Sequence, residues 1–407
     1  MNRFFVLFAA LLVLSGCASL SGEVQQGVKP DVATQELDSS ELLDVAILVF
    51  DSDPLTDKEI RELGLSEEIR QAEERYIPIH LKYTMQRTGY WGAVRVVPAE
   101  SDAHIQVHGT ITQSDGEQLA VTIEAFDSRG VQWFEKSYSE KLRPSDYHNM
   151  SSGEKDPFQD LYSTIANDLA EHRKQLPGSA VREIQQVSEL RTAQDMAPDA
   201  FSGYLSKDKK GIYSLVRLPV ENDPMLKRVH AVQVRDDMLL DTINSYYEIY
   251  YNDLWQPYGD WRKLYYDEIT ALREVEKDAL TRQLLGLAAV VGGVMLSTSN
   301  NNMANSNLPG VMVIGGAAAI YSGFEKRAET KIHKDVIEEL SISFTSEAEP
   351  LVVEVVGETV RLTGSAEEQY RKWREMLRDI YLSETGLPLA ADGGSAEQPF
   401  KQTTGTK

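Results

Sequence analysis

Cysteine is nearly absent: Cys17 is the only one in 407 residues. No intrachain disulfide can form, so burial of apolar surface must hold the fold. Basic charge is scarce as well, with 41 Lys and Arg against 63 Asp and Glu and a formal net charge of −22. That balance excludes nucleic acid as a partner, because phosphate binding rests on clustered Lys and Arg. A chain this acidic also gains nothing from anionic lipid headgroups, so acyl chains and any apolar segment must do any anchoring. Histidines are few and scattered; only His104 and His108 come close. Four residues along a strand span about 13 Å, too far for one metal, so both read as solvent-face residues beside Gln106, opposite Ile105 and Val107. No spaced set of about three or four metal ligands is present, nor a glycine-rich phosphate loop or a Gly-x-Ser-x-Gly elbow. Carboxylates are so abundant that a paired-acid motif carries no signal. The clusters Glu67-Glu68, Glu73-Glu74 and Glu338-Glu339 read as solvated helix faces. The reading is therefore non-enzymatic, with no catalytic, metal or cofactor-binding residue and no cofactor; an envelope hydrolase would have no site.

What is present begins at the amino terminus. Arg3 precedes an apolar run from Phe4 to Leu14, the layout of a secretory signal. The run is shorter than the roughly 20 residues of a spanning helix. It ends at Leu14-Ser-Gly-Cys17, which resembles the lipobox of bacterial lipoproteins. The resemblance implies cleavage before Cys17 and lipidation of Cys17 by a diacylglycerol and an N-acyl chain. Two chains already anchor a protein stably. Alanine at position 18 implies, by the same resemblance, an outer-membrane lipoprotein facing the periplasm or the cell surface, its membrane partner held through the acyl chains. Residues 1–16 are then a signal peptide. Residues 17–40, rich in Ser, Gly, Gln and Asp, read as a lipidated flexible tether.

The first folded region, 42–172, opens on Asp44-Val-Ala-Ile-Leu-Val-Phe50, a short apolar run that fits a strand buried on both faces. Residues 58–75 and 77–88 read as two helical stretches. Strands follow at 91–98, 103–111, 119–126 and 131–138, and a helix at 158–172. The order of elements, with Arg87-Thr-Gly-Tyr-Trp-Gly-Ala-Val-Arg-Val96 and the turn Phe126-Asp-Ser-Arg-Gly130, resembles the amino-terminal domain of TolB and the periplasmic domain of the curli-secretion channel lipoprotein. The resemblance covers under a third of the chain and brings no catalytic residues. It implies an α+β fold, with an N-terminal mixed sheet flanked by helices, and a part in assembly, export or regulation.

Residues 173–230 read as a helix over 179–192 followed by an irregular connector. Residues 231–340 read as a helical region, broken near Pro257-Tyr-Gly259. Tyr247, Tyr251, Trp255, Tyr258, Trp261 and Tyr265 fall three or four apart, on one helical stripe. The stripe reads as core packing. Alternatively, Tyr251, Trp255 and Trp261 form a surface for glycan rings or a partner, or a belt at a membrane. A glycine-rich apolar hairpin, 284–324, follows. Gly286, Gly292, Gly293, Gly315, Gly316 and Gly323 place small residues on shared helical faces, which lets backbones approach closely. Three forms of it compete: insertion into the membrane, burial between subunits or against other domains, and β-strands. A small αβ unit, a β-hairpin plus helix, follows at 341–383. Its run from Val355 to Ser365 is similar to part of a BON-type unit, and 384–407 read as a disordered tail. The expected function is a structural or assembly component of an envelope complex for secretion, an appendage or surface-polymer export. It would work through self-association or envelope protein partners. The alternative is a periplasmic peptidoglycan-binding or synthase-regulating lipoprotein.

Overall fold

The computed structural model describes residues 22–54, 56, 67–99, 101–143, 146–147, 155–296, 351–355, 358–362 and 365–385. Its centre is a mixed sheet in the order β1-β7-β6-β5-β2-β4. The strands are β1 (Gly22–Glu23), β2 (Val45–Leu48), β4 (Val94–Val97), β5 (Ile105–Ser114), β6 (Gln118–Asp127) and β7 (Gln132–Lys141), with the short β3 (Asp51–Ser52) beside β5. β2 runs parallel to both β4 and β5, while β5, β6 and β7 form an antiparallel meander. The expected α+β class is what the chain adopts. Burial alternates residue by residue along β6, whereas the first three residues of β2 are all buried. The period-2 and continuous apolar patterns thus mark a half-covered strand and a central one.

Helix α1 (Glu67–Gln86) is a single element with Pro78 inside it, not the two helices expected. A proline takes away the hydrogen bond owed to the carbonyl four residues earlier. Here that carbonyl, on Glu74, accepts the Phe50 N–H at 2.9 Å instead. The lost bond is replaced from the sheet, and the helix continues.

The expected tether is also not free over most of its length. Gly22 and Glu23 pair with Tyr138 and Ser139. Beyond them the Gly27 N–H donates to Asp160 Oδ2 at 2.5 Å, and the Asp31 N–H to Asn167 Oδ1 at 2.7 Å. Asn167 Nδ2 in turn donates to the Lys29 carbonyl at 3.0 Å. Small polar residues resemble a linker in composition, but here their main chain is satisfied by the side chains of α2 (Gln159–Gln175).

Next come α3 (Gly178–Met196), α4 (Pro198–Phe201) and a hairpin of β8 (Leu205–Lys207) and β9 (Tyr213–Leu215). These place more order in 173–230 than expected. Helix α5 then runs unbroken from Pro224 to Leu296, 73 residues including Pro257. At 1.5 Å per residue it is about 110 Å long. Residues 284–296, for which strands were one expectation, are helical. The remainder of the hairpin, with Gly315, Gly316 and Gly323, lies outside the described residues, as does Cys17. β10 (Leu351–Val355) and β11 (Glu358–Leu362) pair antiparallel, and α6 (Ala366–Thr385) follows. Tyr370, Trp373, Leu377 and Tyr381 of α6 are buried in the same hydrophobic cluster as the sheet and α5.

Candidate functional site

The aromatic stripe and three of the singled-out glycines lie on α5, and its side chains explain how it is held. Asp223 caps its start, its Oδ1 accepting the Met225 N–H at 2.8 Å, with Pro224 at the first helical position. More than five turns further on, the helix meets the sheet edge at β4. Asn244 Oδ1 accepts the Val96 N–H and Asn244 Nδ2 donates to the Val96 carbonyl, both at 2.9 Å. One side chain therefore does what a neighbouring strand would do, and β4 does not present an open edge at Val96. Lys82 Nζ donates to the same Oδ1 at 3.0 Å and to Glu248 at 2.9 Å.

Above this the contact between α1, α2 and α5 is dry and polar at once. Tyr251 donates to His80 Nδ1 at 2.7 Å, and His80 Nε2 meets Gln159 Oε1 at 3.0 Å. Gln159 spends its amide hydrogens on Thr84 and Ser163, so its oxygen accepts and the imidazole proton sits on Nε2. Burial lowers the His80 pKa, which keeps the ring neutral. Two turns on, Tyr258 and Ser114 donate to Glu73 Oε1 at 2.9 and 2.5 Å, and Arg70 lies 3.5 Å from its other oxygen. Glu73 was expected on a solvated face; instead it is fully buried, because the sheet covers α1 on one side and α5 on another. Burial pushes its carboxyl pKa upward against those partners.

Arg262 completes this clamp. Its guanidinium donates to Asp156 Oδ2 at 2.8 Å and lies 4.3 Å from the Tyr258 ring centroid. Asp156 also accepts from Tyr76 and from the Phe158 N–H. Burial alone would raise the Asp156 pKa, but Arg262 and the hydrogen bond from the Phe158 N–H outweigh it and hold the pKa low. The β5–β6 turn fits beneath because Gly116 has φ +74° and a Cβ there would stand 2.8 Å from the Arg262 carbonyl.

A second polar junction lies at the opposite end of the sheet, where β2, β4 and β5 begin. A cavity of about 60 Å³ is lined there by Asp44, Asp102, His104, Asp236, Asp237 and Arg374, among others. Arg374 of α6 reaches Asp236 of α5 at 2.9 Å and Asp195 of α3 at 3.1 Å. Arg191 lies 3.4 Å from Asp102, and Arg95 binds Asp241 at 2.6 Å and Asp237 at 3.4 Å. Burial raises the pKa of Asp102 and Asp236 and brings Asp237 to about 6. His104, expected on a solvent face, is half-buried and accepts the Asp44 N–H on Nδ1 at 2.9 Å. Gln106 beside it is buried and donates to the Ser101 carbonyl. Among the described residues, no group of three or more His, Cys, Asp or Glu could hold a metal ion. Arginines and main-chain groups hold these carboxylates in place, so the junction works as a clasp between three helices.

The sequence-derived site residues fall as follows. Of the proposed aromatic surface, Trp261 is 0 % and Tyr251 7 % exposed, and only Trp255 is half-buried. Trp261 stacks between Tyr258 and Tyr265 at 5.8 and 5.2 Å. The stripe is core, and neither Trp261 nor Tyr251 is available to a sugar ring. Gly286, Gly292 and Gly293 lie in the last turns of α5. No helix among the described residues is long and apolar enough to cross a membrane. Asn244, Arg262 and Arg374 were not legible as important, since each acts on partners far away in sequence.

No family model matches the chain, and no curated protein matches it. Among solved structures it is similar to a PelC dodecamer from Paraburkholderia phytofirmans, with 16 % identity over 38 % of this chain and 98 % of that one. The TM-score is 0.22, and a likeness at that level carries no argument about fold or function.

Proposed function

We propose that this chain is an outer-membrane lipoprotein, tethered through an acylated Cys17, that serves as a non-enzymatic structural part of an envelope assembly. In this reading the sheet and its helices are a TolB-N-like base, and α5 is a rod carrying an association segment. The observation that carries it is the continuity of α5: one helix is bolted to the base through Arg262 and Asp156 and continues to Leu296. The end of that helix is the glycine-rich stretch. Seven residues turn a helix by nearly two full turns, so Gly286 and Gly293 share a face on which a second helix can approach closely.

The direction of α5 favours protein contact over insertion beside the lipid anchor. Asp236 lies near Asp44 and His104, where β2 and β5 start, while Tyr258 lies at Ser114, where β5 ends. The helix therefore climbs away from that first end. Gly286 follows Tyr266 by about 30 Å along the axis. β1 enters on the other side of the sheet, its first residue directed back toward the start of β7.

Mass spectrometry of the protein extracted from membranes tests the anchor. The expected N-terminal peptide begins at Cys17 and carries a diacylglyceryl and an acyl group, and Cys17→Ala releases the protein from the outer-membrane fraction. An unmodified Cys17 peptide would remove the lipoprotein reading.

A further inference from the structure

The whole chain is acidic, but the β8–β9 hairpin and the start of α5 carry a local basic patch. The turn joining β6 to β7 meets the β8–β9 hairpin: the Tyr213 N–H donates to the Arg129 carbonyl at 2.7 Å. Gly130, with φ +82°, lies so close that a Cβ there would stand 2.9 Å from the Gly211 carbonyl. The hairpin and the residues after it carry Lys207, Lys209, Lys210 and Arg217, and the first turns of α5 add Lys227 and Arg228, all exposed. Against these stand Asp208, Glu221 and Asp223. Two of the three are committed to the main chain. Asp208 accepts the Lys210 and Ile212 N–H groups at 2.8 Å, and Asp223 accepts from Met225 and Leu226.

Apolar side chains are interleaved with this charge. Val216, Leu218 and Val220 are 59 %, 52 % and 73 % exposed, and they alternate with Arg217 and Pro219 along one segment. Arg217 packs 4.2 Å from the Tyr204 ring centroid and Lys207 5.0 Å from that of Tyr213. These cationic heads lie over the faces of half-buried tyrosines, beside exposed aliphatic side chains, a mix that a membrane interface takes.

The path of the chain directs the anchor toward this end of the sheet. β1 runs parallel to β7 with Gly22 opposite Tyr138, so its first residue is directed toward the start of β7 and the turn that touches the hairpin. Cys17 precedes Gly22 by five residues, a reach of at most about 18 Å.

We propose that this end is a membrane-apposed face, with Lys207, Lys209 and Lys210 on anionic phospholipid headgroups and Val216, Leu218 and Val220 at the acyl boundary. Its orientation rests on the reading of Cys17 as acylated; its chemistry does not. Screening confines charge effects to within about 10 Å, so a local basic patch acts even on a chain of net charge −22.

The test uses the full-length protein added to preformed phosphatidylethanolamine vesicles, with or without phosphatidylglycerol. Amine acetylation by a water-soluble reagent is followed lysine by lysine. Lys209 and Lys210 are expected to react at least fivefold more slowly on phosphatidylglycerol vesicles than in detergent micelles. Lys263, exposed near the far end of the sheet, changes less than twofold. Equal rates on vesicles and in micelles overturn the proposal, and so does equal slowing on vesicles without phosphatidylglycerol. Slowing in micelles that grows with protein concentration assigns the face to a second copy and overturns it too. If Cys17 proves unacylated, flotation of the same protein separates the two readings. Binding to phosphatidylglycerol vesicles that falls tenfold on combining Lys207→Glu, Lys209→Glu and Lys210→Glu supports the face without the anchor. Absence of binding removes both.

Discussion

Two of the arginine–aspartate contacts along α5, Arg262 with Asp156 and Arg374 with Asp236, differ in their access to water. At the upper clamp Arg262 and Asp156 are 1 % and 0 % exposed, ringed by Tyr76, Tyr258 and Phe158. At the lower clasp Arg374 is 22 % exposed and borders a cavity shared with Asp102, Asp236 and Asp237. The chemistry is the same, but the consequences of losing it are not. A buried charge left alone has no solvent to turn to, whereas one beside a cavity recovers part of its hydration. The upper clamp therefore makes α5 one body with the sheet, and the lower clasp fastens α6 onto that body more loosely.

The largest effect that would break this contrast is at Arg262. Arg262→Met strands the Asp156 carboxylate and is expected to cost about 3–5 kcal/mol, read from the midpoint of urea unfolding. Combining it with Asp156→Asn should restore more than half of that loss, since the unpaired charge is then gone. A cost below about 1 kcal/mol for the single variant would show that the clamp does not hold the helix.

Asn244→Ala comes next. It leaves the Val96 N–H and carbonyl without their partner and removes one acceptor of Lys82. A loss of about 2 kcal/mol is expected, within the usual range for orphaned buried polar groups. The exposed β4 edge should also make the variant's light-scattering mass rise with concentration. An unchanged mass would mean that α5 covers the edge by packing alone.

Arg374→Ala should cost less, about 1–2 kcal/mol, through its links to Asp236 and Asp195. Hydrogen exchange sharpens the contrast: amides of α6 should exchange faster while those of α1 do not. Equal acceleration in both helices would join the two junctions into one cooperative unit.

The smallest effect is a pH dependence. Burial brings the Asp237 pKa to about 6 from an ordinary value near 4. The folded state then binds the proton more tightly than the unfolded one, so this contribution to stability is full below pH 4 and is lost as pH rises toward 6. Asp237 is partly exposed, and solvent screening reduces the effect to well under about 1 kcal/mol. Asp237→Asn should flatten that part of the stability profile. A profile that keeps its slope in the variant would place the titration elsewhere in the clasp.

Much of the sheet was legible because its patterns are local. Alternation along β6 and the apolar run of β2 each report their burial within a few residues. What was not legible depended on partners brought from far along the chain. A second helical stretch was expected from residue 77, yet the Glu74 carbonyl that Pro78 leaves without its helical donor is satisfied by Phe50 and one helix runs through. Polar residues before position 40 resembled a tether, yet Asn167 and Asp160 hold their main chain. Glu73 beside Glu74 suggested water, but Ser114 of the sheet and Tyr258, from 185 residues away, enclose it. The aromatic stripe was visible as a stripe; which of its two meanings applied depended on the helices it packs against. Arg374 and Asp236 stand 138 residues apart, and no local pattern could have paired them.

In the proposed assembly α5 carries its glycine-rich end outward from a clamped base, so that copies meet through it. The most direct test is the light-scattering mass of the detergent-extracted protein beside a variant lacking residues 284–324. A discrete oligomer that collapses to a monomer in the variant is the expected result. Monomers in both samples would contradict it.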